Sequence, residues 1–127
     1  MCQTVSHENY NRISKLVPEL QNLEKNHTAV FKQPVMDCLI TVKQKGIRVM
    51  LVEIAFCTER NGEQIPDHSI RVKLNHQEQK AEPESVWFRC RGTTKVYMPK
   101  VGINLAIQKV QNNTLSKWLE QLQPAHI

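Results

Sequence analysis

The chain has 127 residues, of which 40% are hydrophobic and 23% are charged, and its formal net charge is +5. These proportions are typical of a globular protein, and a chain of this length buries roughly two thirds of its unfolded surface. We therefore expect one compact domain spanning residues 1–127. The basic charge favours acidic partners, namely nucleic acid, anionic lipid or an acidic protein surface.

The N-terminal eight residues have neither the basic region nor the apolar region of a signal peptide. The cysteines are scattered without a Cys-x-x-Cys pair, at Cys2, Cys38, Cys57 and Cys90. Three of them lie in strand-like runs, where a free thiol behaves as a small hydrophobe. We expect reduced thiols and a cytoplasmic protein. The longest apolar run is shorter than the about 20 residues of a membrane helix, so no membrane contact is predicted.

Helical periodicity marks both ends of the chain. Ser6 is a candidate N-cap for a first helix with an apolar face made of Tyr10, Ile13, Leu16 and Val17. Pro18 either ends this helix near Val17 or opens a short second turn through Leu20 and Leu23. A C-terminal helix, stopped by Pro124, is predicted from the stripe Ile107, Val110, Leu115, Trp118, Leu119 and Leu122. We expect its Trp118 edge to pack on one face of a sheet.

Strand patterns fill the middle of the chain. Residues 47–57 form an apolar run rich in β-branched side chains, which predicts a central strand covered on both faces. Residues 35–43, 70–75 and 86–91 alternate apolar and polar residues, as half-buried strands do. The sequences around Gly46 and Asn61-Gly62 predict tight reversals, whereas 22–32 and 75–84 are polar and predicted to be loops. Residues 95–102 show no clear pattern. The order predicts an α+β fold with an antiparallel sheet of about four strands flanked by an N-terminal and a C-terminal helix.

Three blocks of this layout resemble the YqiB-like family of uncharacterised bacterial cytosolic proteins. Residues 8–18 are similar to the family's Asn-aromatic helix, which ends in Leu-Leu-Pro. Residues 70–76, followed by Ala81-Glu82, resemble a strand that reads Val-Arg-Leu-Tyr-His-Asp and then Ala-Glu. The last block, with Asn-x-x-Leu-x-x-Trp-Leu spacing, consists of Tyr97, Asn112, Leu115, Trp118 and Leu119.

The resemblance covers most of the chain and implies a bacterial cytosolic protein of unknown function. Two departures concern polar groups: the family's Tyr-His-Asp is Leu74-Asn75-His76 here, and its Asp-Glu-Lys is replaced around residues 105–108. A function shared through those groups would be lost or changed in this chain. The resemblance therefore supports the fold and names no activity.

Motifs for catalysis, metals or cofactors are absent from the sequence, and we predict none of the three. The potential metal ligands are Cys57, His68, His76 and Glu78. None of them forms a pair with a spacing such as Cys-x-x-Cys or His-x-x-x-His, which zinc sites usually contain. Glu53 is the most unusual acid, because it interrupts the apolar strand. A buried carboxylate needs a partner, and we expect a salt bridge to an Arg or Lys of a neighbouring strand.

The strongest candidate site is a basic sheet face. Arg71, Lys73, Arg89 and Arg91 share the polar side of two strands, with Trp87 in the same alternation, and Arg48 joins them if the first hairpin keeps the same sidedness. Our leading interpretation is a non-enzymatic protein whose basic face meets an acidic protein partner. One alternative is binding of RNA or single-stranded DNA through that face. Another is an enzyme with a site near Glu53 and His76. A third alternative is that the basic face binds nothing and only keeps the sheet soluble.

Overall fold

The computed structural model describes residues 4–33, 36–98 and 102–122, so Cys2, Val35 and Pro124 lie outside the described residues. Helix α1 is followed by a 3-10 turn at Leu20–Asn22, eight strands and helix α2. The elements are α1 Val5–Leu16, β1 Thr28–Phe31, β2 Asp37–Lys45, β3 Val49–Arg60, β4 Glu63–Asn75, β5 Lys80–Phe88, β6 Gly92–Lys95, β7 Tyr97–Met98, β8 Gly102–Ile103 and α2 Leu105–Gln121. Pro18 thus ends α1 and is followed by the short second turn.

Strands β1 to β6 form one antiparallel sheet in chain order, and β7 pairs with β8 in a separate hairpin. The α+β class, the antiparallel sheet and the two terminal helices are confirmed, but the large sheet has six strands instead of about four. The loops predicted at 22–32 and 75–84 are wrong in part, since β1 lies within the first and β5 begins at Lys80 within the second. The unpredicted strands β1 and β6 are short edge strands, and all four residues of β6 are exposed. Periodicity does not detect them, because β6 has no buried face and β1, although Ala29 and Phe31 pack against the core, is only four residues long.

Glycine and asparagine turns set the register of the central strands. Asn61 and Gly62 join β3 to β4 with φ values of 52° and 82°, as a type I′ hairpin turn requires. At the turn between β2 and β3, Gly46 N–H donates to Val49 O across 2.8 Å. A Cβ on Gly46 would lie 2.8 Å from that same oxygen, so the turn needs glycine for space. Both predicted reversals are confirmed.

The core lies between the helices and the inner face of the sheet, which we define as the face that the helices cover. Its cross-strand rows place apolar residues opposite one another on β2, β3 and β4: Ile40, Ile54 and Ile70, then Val42, Val52 and Val72. These six side chains are fully buried. On the opposite, outer face, Leu51 and Glu53 of β3 are only partly buried. Coverage of β3 on both faces is therefore wrong for this half of the strand, because the apolar side chains of the two described helices pack against the inner face.

The blocks that carry the family resemblance meet where the helices dock. Asn9 of α1 donates from Nδ2 to the Asn112 carbonyl of α2 across 3.1 Å. The Tyr10 hydroxyl lies 2.8 Å from Nδ1 of His76, in the turn after β4. Trp118 of α2 packs against Phe56, His68 and Phe88, as predicted for its edge. These residues therefore have structural roles in joining the helices to the sheet.

Local contacts correct the predicted N-cap of α1. Thr4 is the N-cap, and its hydroxyl accepts a hydrogen bond from the His7 N–H. Ser6 instead accepts a hydrogen bond from Asn112 Nδ2 at 3.4 Å. Neither described helix is both long and apolar enough to cross a lipid bilayer.

Candidate functional site

A continuous cross-strand row runs over the outer face from one edge of the sheet to the other. The paired residues, in order from β1 to β6, are Thr28, Thr41, Glu53, Arg71, Ser85 and Lys95. Parallel rows flank it on either side: Leu39, Ala55, Ser69, Trp87 and Thr93, and then Gln44, Leu51, Lys73 and Glu82. Hydroxyls, cations and one indole thus lie together on the face opposite the helix-covered core.

The outer face contains a concave surface, which we call the outer trough. Its first part has a volume of about 420 Å³ and is lined by Glu53, Pro66, Ser69, Arg71, Ser85, Trp87, Thr93 and Lys95. A second part of about 470 Å³ shares three of these residues and adds, among others, Leu51, Lys73, Glu82, Tyr97 and Ile103. The β7–β8 hairpin therefore extends the trough beyond the six-stranded sheet and contributes exposed apolar side chains.

Charge in the outer trough is only partly neutralised. Glu53 accepts a hydrogen bond from Arg71 Nε across 3.2 Å, and its other oxygen lies 3.9 Å from Lys43 Nζ. The expected salt bridge from Glu53 to a neighbouring strand is thus confirmed. Lys73 and Lys95 have no salt bridge to any of the described residues, although the register places Glu82 beside Lys73. The trough therefore offers two free ammonium groups flanking a central ion-paired cluster.

The structure brings together Arg71, Lys73 and Trp87 from the predicted site. It does not place Arg89 and Arg91 with them, because β5 ends at Phe88. The Arg91 N–H bonds back to the Phe88 carbonyl across 3.1 Å, and Gly92 at φ 77° carries the chain into β6. Of the four cations predicted to share one face, Arg71 and Lys73 therefore line the outer trough, and Arg89 and Arg91 do not.

The displaced arginines have other contacts. Arg89 donates from Nη2 to the Pro66 carbonyl at 3.0 Å, whereas the Arg91 guanidinium lies 5.7 Å from the centre of the Phe88 ring. Phe88 packs against Trp118 of α2, so Arg91 lies on the helix-covered side. Arg48 lies in the turn before β3, where its carbonyl accepts from His76 N–H. Lys95 was missed, because β6 lacks the alternation that marks a strand.

The structure separates the two residues of the enzymatic alternative. Glu53 lines the outer trough, whereas His76 contacts Tyr10 of α1. Burial lowers the pKa of His76. Glu78 pairs with Lys80 at 3.5 Å. Within the described ranges, no group of three His, Cys, Asp or Glu residues is arranged to hold a metal ion.

The cysteines divide into two environments. Cys38 and Cys57 are buried, and burial raises the pKa of Cys38 to about 12 and also raises the pKa of Cys57. Cys90, expected in a strand, is exposed in the turn between β5 and β6. A thiol with so high a pKa is almost wholly protonated and is a poor nucleophile. The two buried thiols therefore act as packing groups.

Comparison of the chain with protein-family models, with curated proteins and with solved structures gave no match. The resemblance to the YqiB-like family therefore stays a prediction.

Proposed function

We propose that this protein is a non-enzymatic binding protein whose outer trough binds an acidic segment of a partner protein. The observation that carries the proposal is the presence, in one continuous concave surface, of Trp87, of two lysines without a salt bridge to the described residues, and of exposed apolar side chains at the hairpin end. Tryptophan, tyrosine and arginine are the residue types that contribute most to binding at protein interfaces. The outer trough contains all three, as Trp87, Tyr97 and Arg71.

Charge and apolar area together favour a protein over a nucleic acid. Glu53, Glu82 and Glu84 line the trough among the cations; a phosphate backbone carries a charge at every nucleotide and cannot avoid them, whereas a peptide can place apolar residues beside them. Tyr97 and Ile103 are 58% and 59% exposed at its hairpin end. Such apolar groups bury well against a protein side chain, whereas nucleic-acid affinity comes mainly from contacts between cations and phosphates. An acidic segment with apolar residues matches this mixture.

The test compares two labelled probes by fluorescence anisotropy: a short peptide containing Glu and Val, and a short single-stranded RNA. We expect the peptide to bind and the double variant Lys73→Glu, Lys95→Glu to lose that binding. The matched control is Lys15→Glu, Lys109→Glu, which changes the net charge equally at exposed positions of the helices. Equal loss in both variants, or preference for RNA that depends on Lys73 and Lys95, would contradict the proposal.

A further inference from the structure

β6 is an edge strand with an open side, since among the described residues no strand pairs with it beyond β5. The Val96 N–H donates to the Glu84 carbonyl across 2.9 Å, which makes Ser85 and Lys95 a non-hydrogen-bonded pair of the antiparallel ladder. The N–H and C=O of Lys95 therefore face away from β5, and those of Thr93 do the same. An incoming strand would find a row of peptide groups ready to pair.

An apolar groove lies on the helix side of this edge. We call it the inner groove; its volume is about 300 Å³ and its lining is Val86, Phe88, Thr94, Ala106, Ile107, Val110, Gln111 and Thr114. No acidic residue is in that lining. Gln111 Nε2 donates to the Thr94 carbonyl at 3.0 Å and so ties α2 to β6. Val110, part of the predicted apolar stripe of α2, borders this groove and is 63% exposed.

The two concave surfaces lie on opposite sides of the same strand. Thr93 and Lys95 of β6 line the outer trough, whereas Thr94 lines the inner groove. Side chains of any strand alternate between the two faces of its sheet. A strand added to β6 would therefore place alternate side chains towards the outer trough and the inner groove.

Cations flank both surfaces. Lys95 lies on the outer side, and on the inner side Arg91 lies against Phe88 at the groove wall. Lys117 follows Val110 by seven residues and thus continues the groove-facing stripe of α2. None of these three has a salt bridge within the described part of the chain. Pairing of β6 with a second copy would bring like charges together, so an acidic partner suits this edge better.

We propose that β6 binds an extended segment of a partner protein by strand addition, and that this segment alternates acidic and apolar residues. The inference rests on the proposed function, because the outer trough would bind the acidic side chains. Backbone hydrogen bonds to Thr93 and Lys95 supply affinity, and the alternating side chains supply specificity, as in other cases of strand addition. Acidic residues contact Lys95, while apolar residues enter the inner groove.

The test compares two labelled peptides of equal composition by fluorescence anisotropy, one in which Glu and Val alternate and one in which they are grouped in blocks. We expect the alternating peptide to bind at least about tenfold more tightly, equivalent to about 1.4 kcal/mol. We expect Val110→Asp, in the inner groove, to weaken the alternating peptide by a similar factor. Leu105→Asp, at an exposed position of α2 outside the groove lining, is the matched control and leaves binding unchanged.

Backbone methylation of the peptide tests the hydrogen bonds without altering the protein. Alternate N–H groups of an added strand face β6, so methylating either the Glu or the Val nitrogens should abolish binding, and methylating the other set should not. If the alternating and block peptides bind equally and both lose affinity in the double variant Lys73→Glu, Lys95→Glu, strand addition is overturned and the proposed function stands. Binding of neither peptide would overturn both.

Discussion

Arg71 and Glu53 lie opposite each other on neighbouring strands, and Arg71 Nε donates to Glu53 Oε2 across 3.2 Å in the middle of the outer trough. The same carboxylate lies 3.9 Å from Lys43 Nζ. One acid therefore restrains two cations, and Glu53 sets how much positive charge the trough presents to a partner.

Replacing Glu53 by Gln should strengthen binding of an acidic peptide. The substitution releases Arg71 and Lys43 from their shared carboxylate, and partly exposed ion pairs of this kind are worth up to about 1 kcal/mol. We expect an affinity gain of roughly threefold at low salt, measured by fluorescence anisotropy. Glu120→Gln is the control, since it removes the same charge beside Arg12 in the helix layer. A gain of equal size in that control would show that net charge alone decides affinity.

The contact between Tyr10 and His76 is expected to stabilise the docking of α1. Tyr10→Phe removes the hydroxyl that lies 2.8 Å from His76 Nδ1 and leaves the ring in the core. We expect the free energy of unfolding to fall by about 1 kcal/mol, as for a typical partly buried hydrogen bond. Urea denaturation measures the change. Tyr97→Phe alters an exposed ring and should have little effect; a similar loss in both variants would contradict a specific role for the pair.

Protonation of His76 should lower stability below neutral pH. Burial lowers its folded-state pKa from the ordinary 6.5, so at intermediate pH the unfolded chain binds more protons than the folded protein. This contribution is fully present above 6.5 and is lost as the pH falls through 6.5 towards the folded-state value. We expect His76→Gln to flatten the fall in urea midpoint between about pH 7.5 and about pH 5.5. His27→Gln, at an exposed position, is the control; an unchanged slope in His76→Gln would refute the linkage.

Thiol alkylation should distinguish Cys90 from the buried cysteines. With a pKa of about 12, Cys38 holds on the order of one thiolate in ten thousand at pH 8, and its side chain is inaccessible. We expect iodoacetamide to modify Cys90 in the folded protein and to reach Cys38 and Cys57 only after denaturation. Peptide mass spectrometry measures the three sites separately. Rapid modification of Cys38 under native conditions would mean that β2 opens readily.

Alternation of apolar and polar residues made the inner face predictable. Ile70, Val72 and Leu74 are fully buried as their spacing indicated, and Asn61-Gly62 forms the predicted turn. Strands β1 and β6 were not predictable in this way, because β6 has no buried face and β1 is too short for its two inward residues, Ala29 and Phe31, to form a repeat. The number of strands could therefore not be predicted, because the periodicity of one segment does not reveal which other segments it pairs with.

The candidate site was predictable only in part, for the same reason. Arg71, Lys73 and Trp87 were placed correctly because apolar neighbours fix the orientation of their strands. The alternation from Val86 continues in the sequence to Arg91, yet the strand ends at Phe88, where the hydrogen bond from the Arg91 N–H closes a turn. Lys95 entered the site only through the pairing of β6 with β5.

The most direct test of binding through the outer trough is a titration of the isotope-labelled protein with the alternating Glu-Val peptide, followed by NMR chemical-shift changes. We predict that the largest changes occur at the amides of Arg71, Lys73, Ser85 and Lys95 and at the indole N–H of Trp87. Changes confined to the outer surfaces of α1 and α2, with Trp87 unaffected, would contradict the account.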